Sequence, residues 1–159
     1  MPVRRHPVAA SKVEVSLGRL PVDLALVGRL KAFYQRLRAE DLRLAEIFYA
    51  KLFAAAPHLR SLFRTAPAEQ AQKLMAALDA VVQNLENPAA NAAMLAQLGR
   101  RHADYGAQPA HYDLVIDLLI ESMEQLLGPG VDPRGLTEWR MALRLISDQM
   151  IAASTGHVA

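Results

Sequence analysis

The sequence predicts an all-α single domain, and three observations predict it. Ala and Leu together supply 52 of the 159 residues, while Gly supplies 8 and Pro 9, a balance that favours helices over strands. Apolar residues recur at spacings of three and four along most of the chain, with no strand alternation and no repeat of fixed period. Proline and glycine cluster at the breaks between these periodic stretches. A chain of this length hides about 68–70% of its extended surface on folding, enough for a core without covalent staples. The absence of cysteine excludes disulfides, thiolate metal sites and thiol nucleophiles.

Taken in order, residues 1–20 mix Pro, Ser, Gly and basic side chains and read as a loose arm ending at Pro21. Leu26, Val27, Leu30, Phe33 and Leu37 then form one apolar stripe on a helix of about four turns. Asp41 is placed to cap the next helix, which carries Leu44, Ile47, Phe48, Tyr49, Leu52 and Phe53. Pro57 ends it or opens a short turn through Leu59, Leu62 and Phe63. Thr65, Ala66 and Pro67 open a third helix with the stripe Leu74, Leu78, Val81 and Leu85, closed by Asn87 and Pro88. Residues 91–103 follow as a helix with Met94, Leu95, Leu98 and His102 on one side. Beyond Gly106 and Pro109 a long helix carries Val115, Leu118, Leu119, Met123 and Leu126 and stops at Gly128-Pro129-Gly130. The last helix carries Leu136, Trp139, Leu143, Ile146 and Met150. Six to eight helices over residues 21–154 are expected, with 155–159 as a tail.

Charge is uneven. Residues 1–38 hold eight Lys/Arg against Glu14 and Asp23, and the rest hold ten against fourteen. A basic arm this short, without aromatic interleaving, is a weak nucleic-acid signal, and no nucleic-acid partner is expected. The basic start is not followed by the apolar stretch of about 7–15 residues that a secretory signal needs. The most apolar run, residues 114–127, contains Asp117, Glu121 and Glu124 and so does not read as a membrane span. A cytoplasmic location is expected.

No Gly-rich phosphate loop, paired-histidine motif or Ser/His/Asp signature is present. Of the five histidines, His6 and His157 fall in the terminal tails, and His58 and His111 sit at helix starts where solvent is the expected surrounding. His102 differs, because it continues an apolar stripe directly after Arg100 and Arg101. A lone histidine on an apolar face is more often a hydrogen-bonded core residue than a ligand. Tyr49, Gln70 and Tyr112, on otherwise apolar faces of other helices, each have an equally ordinary reading as a satisfied or solvated polar group. Taken together they outline a pocket with one nitrogen ligand on one wall and a phenol plus an amide on the other. Such a pocket suits a flat apolar cofactor carrying a metal.

Three segments, FYAKLFAAAPHLRSLF (48–63), QAQKLMAALDAVVQNLEN (70–87) and LGRRHADYGAQPAHYDLV (98–115), resemble the globins, specifically bacterial single-domain haemoglobins and the haem domain of flavohaemoglobins. The likeness spans about residues 21–154, and the separations agree as well: fourteen residues from Tyr49 to Phe63 and thirty-two from Gln70 to His102. The resemblance implies a globin fold around haem b, iron protoporphyrin IX, with His102 as the proximal iron ligand and Phe63 packed on the ring. It puts Tyr49, Gln70 and Leu74 at the distal positions and Leu98 and Tyr112 beside the histidine, while Lys73 either reaches a propionate or is solvated. A phenol and an amide there imply high-affinity O2 binding, with NO and CO as further ligands. They also imply oxidation of nitric oxide to nitrate with an external reductase, since the reductase modules of flavohaemoglobins have no counterpart in these residues.

Two departures qualify the resemblance. Aligned on Trp139, Ser154 stands where flavohaemoglobins carry a glutamate beside the proximal histidine, which implies weak peroxidase-like activity. The short stretch between Phe63 and Gln70 also leaves Gln72 or Lys73 as alternatives to Gln70 in the pocket. Two other readings stand beside the leading one: a gas sensor whose basic arm contacts a partner, and a globin-like interaction domain without haem. The first lacks an output domain, and the second would leave polar groups unsatisfied in an apolar slot. Both monomer and homodimer are compatible with the sequence.

Overall fold

A computed structural model describes residues 23–155; the arm and Pro21, His6, His157 and the rest of the tail beyond Thr155 lie outside the described residues. Among the described residues there are six α-helices and one 3-10 turn: α1 (Leu24–Arg38), α2 (Arg43–Ala55), the 3-10 turn (Pro57–Leu62), α3 (Pro67–Gln83), α4 (Pro88–Asp104), α5 (Pro109–Leu127) and α6 (Pro133–Thr155). There is no strand among the described residues. The all-α expectation therefore holds, with seven helical segments among the described residues.

Helix starts follow local chemistry. Asp23 caps α1 by accepting from the N–H groups of Ala25 and Leu26 at 3.0 and 3.2 Å, satisfying donors that have no partner inside the helix. Proline occupies the first turn of α3, α4 and α5, where its missing N–H costs nothing. Asp41 does not cap α2: Leu42 holds the N-cap position without a side-chain bond. Asp41 instead takes a positive φ of 54°, a conformation that Asp tolerates better than most residues. It thereby turns the chain between α1 and α2, and Arg38 Nη1 donates to its carbonyl at 3.0 Å.

The break after α3 also lies earlier than the periodicity suggests. Helix α3 ends at Gln83, and Asn87 caps α4 by accepting from Ala90 N–H at 3.2 Å, so α4 begins at Pro88 and not at residue 91. Apolar spacing alone misses this because the first turn of α4, Pro-Ala-Ala-Asn, carries no large apolar residue.

Packing divides the helices into two sets. Helix α3 rests on α1 and α2, whereas α4 rests on α6; α2 packs on α5, and α5 and α1 pack on α6. Helices α3 and α4 meet only locally, where Val81 joins Leu95 in one buried cluster and Asn91 Nδ2 donates to Val81 O at 3.1 Å. The core forms two clusters, a large one that includes Phe33, Leu37, Leu44, Phe48, Met75 and Trp139 and a smaller one in which Val81 of α3 meets Leu95 of α4 and Met150 of α6. Buried Trp139 fixes α6 to α1 by donating from Nε1 to Leu30 O at 3.2 Å. Gly99 fixes α4 to α6, since a Cβ at that position would lie 2.2 Å from Met150 O.

Candidate functional site

The residues singled out by sequence fall on two walls, one on each core cluster. Tyr49 on α2, Phe63 just after the 3-10 turn and Leu74 on α3 are half-buried against the large cluster. Leu98 on α4 and Tyr112 on α5 are half-buried against the small one. Each of these side chains keeps part of its apolar surface uncovered.

On the first wall the aromatic side chains order one another. Tyr49 stacks on Phe53 with centroids 5.9 Å apart and meets Phe63 edge-on at 5.5 Å. Phe53 meets Phe63 edge-on at 5.3 Å, and the Arg60 guanidinium lies over the Phe53 ring at 4.9 Å, an arrangement favoured by the ring quadrupole. Gln70 Nε2 donates to the Tyr49 hydroxyl oxygen at 3.2 Å, and Thr65 Oγ1 donates to Gln70 Oε1 at 2.5 Å. Burial pushes the Tyr49 pKa above the ordinary tyrosine value, and the bond from Gln70 partly offsets the rise, because a donor to the oxygen favours the anion. Gln72 and Lys73 are both exposed, so of the three alternatives Gln70 is the side chain turned to Tyr49.

On the second wall His102 is half-buried, with Nδ1 2.8 Å from Leu98 O. A carbonyl oxygen only accepts, so Nδ1 is the donor of this bond, and in the neutral ring that leaves the lone pair on Nε2. Nε2 has no hydrogen-bond partner among the described residues. The Tyr112 ring lies 6.3 Å from the imidazole, tilted by 38°, and burial raises its pKa. Ser154 closes onto its own helix by donating to Ile151 O at 2.7 Å. No carboxylate hydrogen-bonds to His102 among the described residues. No group of three or more His, Cys, Asp or Glu that could hold a metal ion occurs among them either.

His58 is exposed, as expected. His111 is not simply solvated: it is half-buried, and its Nδ1 accepts from Gln108 N–H at 3.0 Å. That bond caps the start of α5 and occupies a ring nitrogen. Sequence reasoning treated Thr65 only as a helix opener and passed over Gly99. A glycine inside a helix costs about 1 kcal/mol relative to alanine, and that cost was the available signal that Gly99 has a packing reason. Thr65 offered no comparable signal, because threonine beside a helix start is ordinary.

Comparison with known proteins agrees with the helical fold. The family model described as Globin matches residues 46–150. A flavohemoprotein of Rhizobium meliloti (strain 1021) is 32% identical over 104 residues, which is 64% of this chain and 26% of that protein. A flavohemoprotein of Deinococcus radiodurans is 29% identical over 130 residues, 80% of this chain and 32% of that protein. The chain thus spans about a quarter to a third of the length of these curated relatives. Among solved structures, an engineered carbene transferase made from a Rhodothermus marinus protein assigned as a nitric oxide dioxygenase superposes with a TM-score of 0.75. It is 26% identical, and the match covers 86% of this chain and 95% of that one. With a family model over most of its described residues, the same helical architecture and two polar-lined walls, this chain belongs to the globin family.

Proposed function

We propose that the chain binds haem b between α3 and α4 and uses it to hold diatomic gases, O2 first, with NO and CO as further ligands. The residues present fit such a group. His102 offers a neutral nitrogen with its lone pair free, and its ring orientation is fixed by the Leu98 carbonyl, as a metal-binding imidazole requires. Phe63, Leu74 and Leu98 offer half-buried apolar surface to a flat ring. Exposed Lys73 is available for a propionate. When bound, haem supplies an iron centre able to take up a diatomic gas and exchange electrons.

The chain's own residues do the rest. His102 anchors through Nε2, and Tyr112 packs beside it. Tyr49, kept protonated by burial, presents an O–H, and Gln70 presents the second N–H of its amide. Both stabilise partial negative charge on a gas ligand, by about 0.5–1.5 kcal/mol for each neutral hydrogen bond. With the electrons of an external reductase, the same donors suit oxidation of nitric oxide to nitrate. A carbonyl at Nδ1 makes imidazole a weaker electron donor than a carboxylate would. Gas binding and nitric oxide oxidation are accordingly favoured over peroxide cleavage.

The hydrogen bond from His102 Nδ1 to Leu98 O, which leaves Nε2 free, carries this reading. Titration with hemin is expected to give a Soret band in the wild type that His102→Ala loses and His111→Ala keeps, because His111 serves the start of α5. A His102→Ala protein with a normal five-coordinate ferrous spectrum would sink the assignment. Stopped-flow mixing of the O2-loaded protein with nitric oxide tests the reaction, and slow or absent nitrate formation leaves gas binding alone.

A further inference from the structure

The geometry assigns Thr65 as the residue that sets which way the Gln70 amide faces, and thereby keeps the Tyr49 hydroxyl hydrogen free for a ligand. This rests on the function proposed above and concerns the same site.

An amide between two hydroxyls can sit in either of two orientations. In one, the threonine hydroxyl donates to Oε1 and the amide N–H donates to the tyrosine oxygen, so the phenol hydrogen is left unused. In the other, the amide N–H donates to threonine and the tyrosine hydroxyl donates to Oε1, so the phenol hydrogen is consumed inside the chain. The two bond lengths separate these cases. Thr65 Oγ1 lies 2.5 Å from Gln70 Oε1, within the range of O–H···O bonds and shorter than N–H···O bonds run. Gln70 Nε2 lies 3.2 Å from the Tyr49 oxygen, at the long end for N–H···O and beyond the O–H···O range. The first orientation is the one present. Because the hydrogen-bond network decides which end of an amide points where, removal of the threonine donor removes the preference.

The ordinary job for a threonine at this position is to cap the helix that follows. Thr65 does not do it, since Ala66 holds the N-cap of α3 with no side-chain cap bond. Ala66 is extended (φ −60°, ψ 149°) ahead of Pro67, as the residue before a proline tends to be. The half-buried Thr65 hydroxyl is thus directed to Gln70, five residues on. Thr65 is a positioning residue: it acts on the ligand through Gln70 and Tyr49.

The test compares wild type, Thr65→Val, which keeps the shape but loses the donor, and Thr65→Ser, which restores it. Two readouts use hemin-loaded protein: the C–O stretching frequency of bound carbon monoxide and the O2 release rate. A third uses protein without hemin: the ultraviolet titration of Tyr49, isolated by subtracting Tyr49→Phe. In Thr65→Val the stretch is expected to rise and O2 release to quicken about 2- to 12-fold, the equivalent of one neutral hydrogen bond. Tyr49 is expected to titrate higher, since a phenol that donates to Oε1 is held neutral. Thr65→Ser should return all three towards wild type. Thr65→Ala carries the same prediction if valine is not accommodated, with circular dichroism as the check on folding. An unchanged stretch, release rate and titration in Thr65→Val would overturn the proposal, as would a serine variant as perturbed as the valine. If wild type takes up no hemin, the proposed function fails by itself, and the Tyr49 titration still decides the role of Thr65.

Discussion

Tyr34, four residues after Leu30 and three before Leu37, fits the apolar spacing of α1 but holds a polar partner that spacing does not name. It is buried beside Phe33, and its hydroxyl donates to Asp79 on α3, a carboxylate also held by Arg38 Nε at 3.1 Å. Burial and the bond to Asp79 raise the Tyr34 pKa well above the ordinary tyrosine value, so the phenol stays a donor. Replacement by phenylalanine keeps the ring against Trp139, whose centroid is 5.8 Å away, and removes a hydrogen bond to a charged group. Tyr34→Phe is expected to lower stability by about 1–3 kcal/mol, read from urea unfolding. A loss under about 0.5 kcal/mol would mean that Asp79 is served equally well by water. The stripe Leu26, Val27, Leu30, Phe33 and Leu37 is local information, whereas the partner of Tyr34 lies 45 residues further along the chain.

Two glycines inside helices separate what an element prefers from what its neighbour allows. At exposed Gly28 on α1 a Cβ would meet nothing within 4 Å, so Gly28→Ala should gain the helix-propensity difference, about 0.5–1 kcal/mol. At Gly99 on α4 the same change gains the same propensity but drives a Cβ into the Met150 backbone, 2.2 Å from its oxygen and 2.7 Å from its Cα. Backbone cannot swing aside as a side chain can, so overpacking wins, and Gly99→Ala should lose about 1–3 kcal/mol. Thermal melts of the two variants against wild type should move in opposite directions, and a stabilised Gly99→Ala protein would show that α4 is not seated on α6 at this point. His102 lies three residues beyond Gly99, so the seat of the helix is also the seat of the proposed ligand.

Charge ties the molecule together across its ends, and this shapes its response to pH. Glu138 on α6 accepts from Arg29 Nε at 3.0 and 3.1 Å and from Nη2 at 2.8 Å, joining α6 to α1 across 109 residues of sequence. The Arg29 hydrogen bond holds the Glu138 carboxyl below the ordinary glutamate value. A carboxyl depressed in the folded state contributes stability that is complete above its unfolded pKa, about 4.5, and is lost as pH falls through the lower folded value. Glu138→Gln should therefore be less stable than wild type at neutral pH, and the gap should close below about pH 4. Denaturation at neutral pH and in mild acid checks this, and a gap that stays constant into acid would refute the linkage. At the alkaline end Tyr34, Tyr49 and Tyr112 all have raised pKa values. They contribute stability that is full below the ordinary tyrosine value and is lost as pH rises through their folded values.

The sequence by itself determined the all-α class and the inward stripe of each helix. These are legible because a 3.6-residue repeat is a local property. Only the tertiary structure decided the rest. It turned Gln70, and neither Gln72 nor Lys73, towards Tyr49. It used Asp41 for a turn instead of a cap, moved the start of α4 to Pro88, and set Gly99 against Met150 and Thr65 against Gln70. Donor direction and backbone clearance depend on where separate segments meet, and apolar spacing along the chain does not encode those meetings.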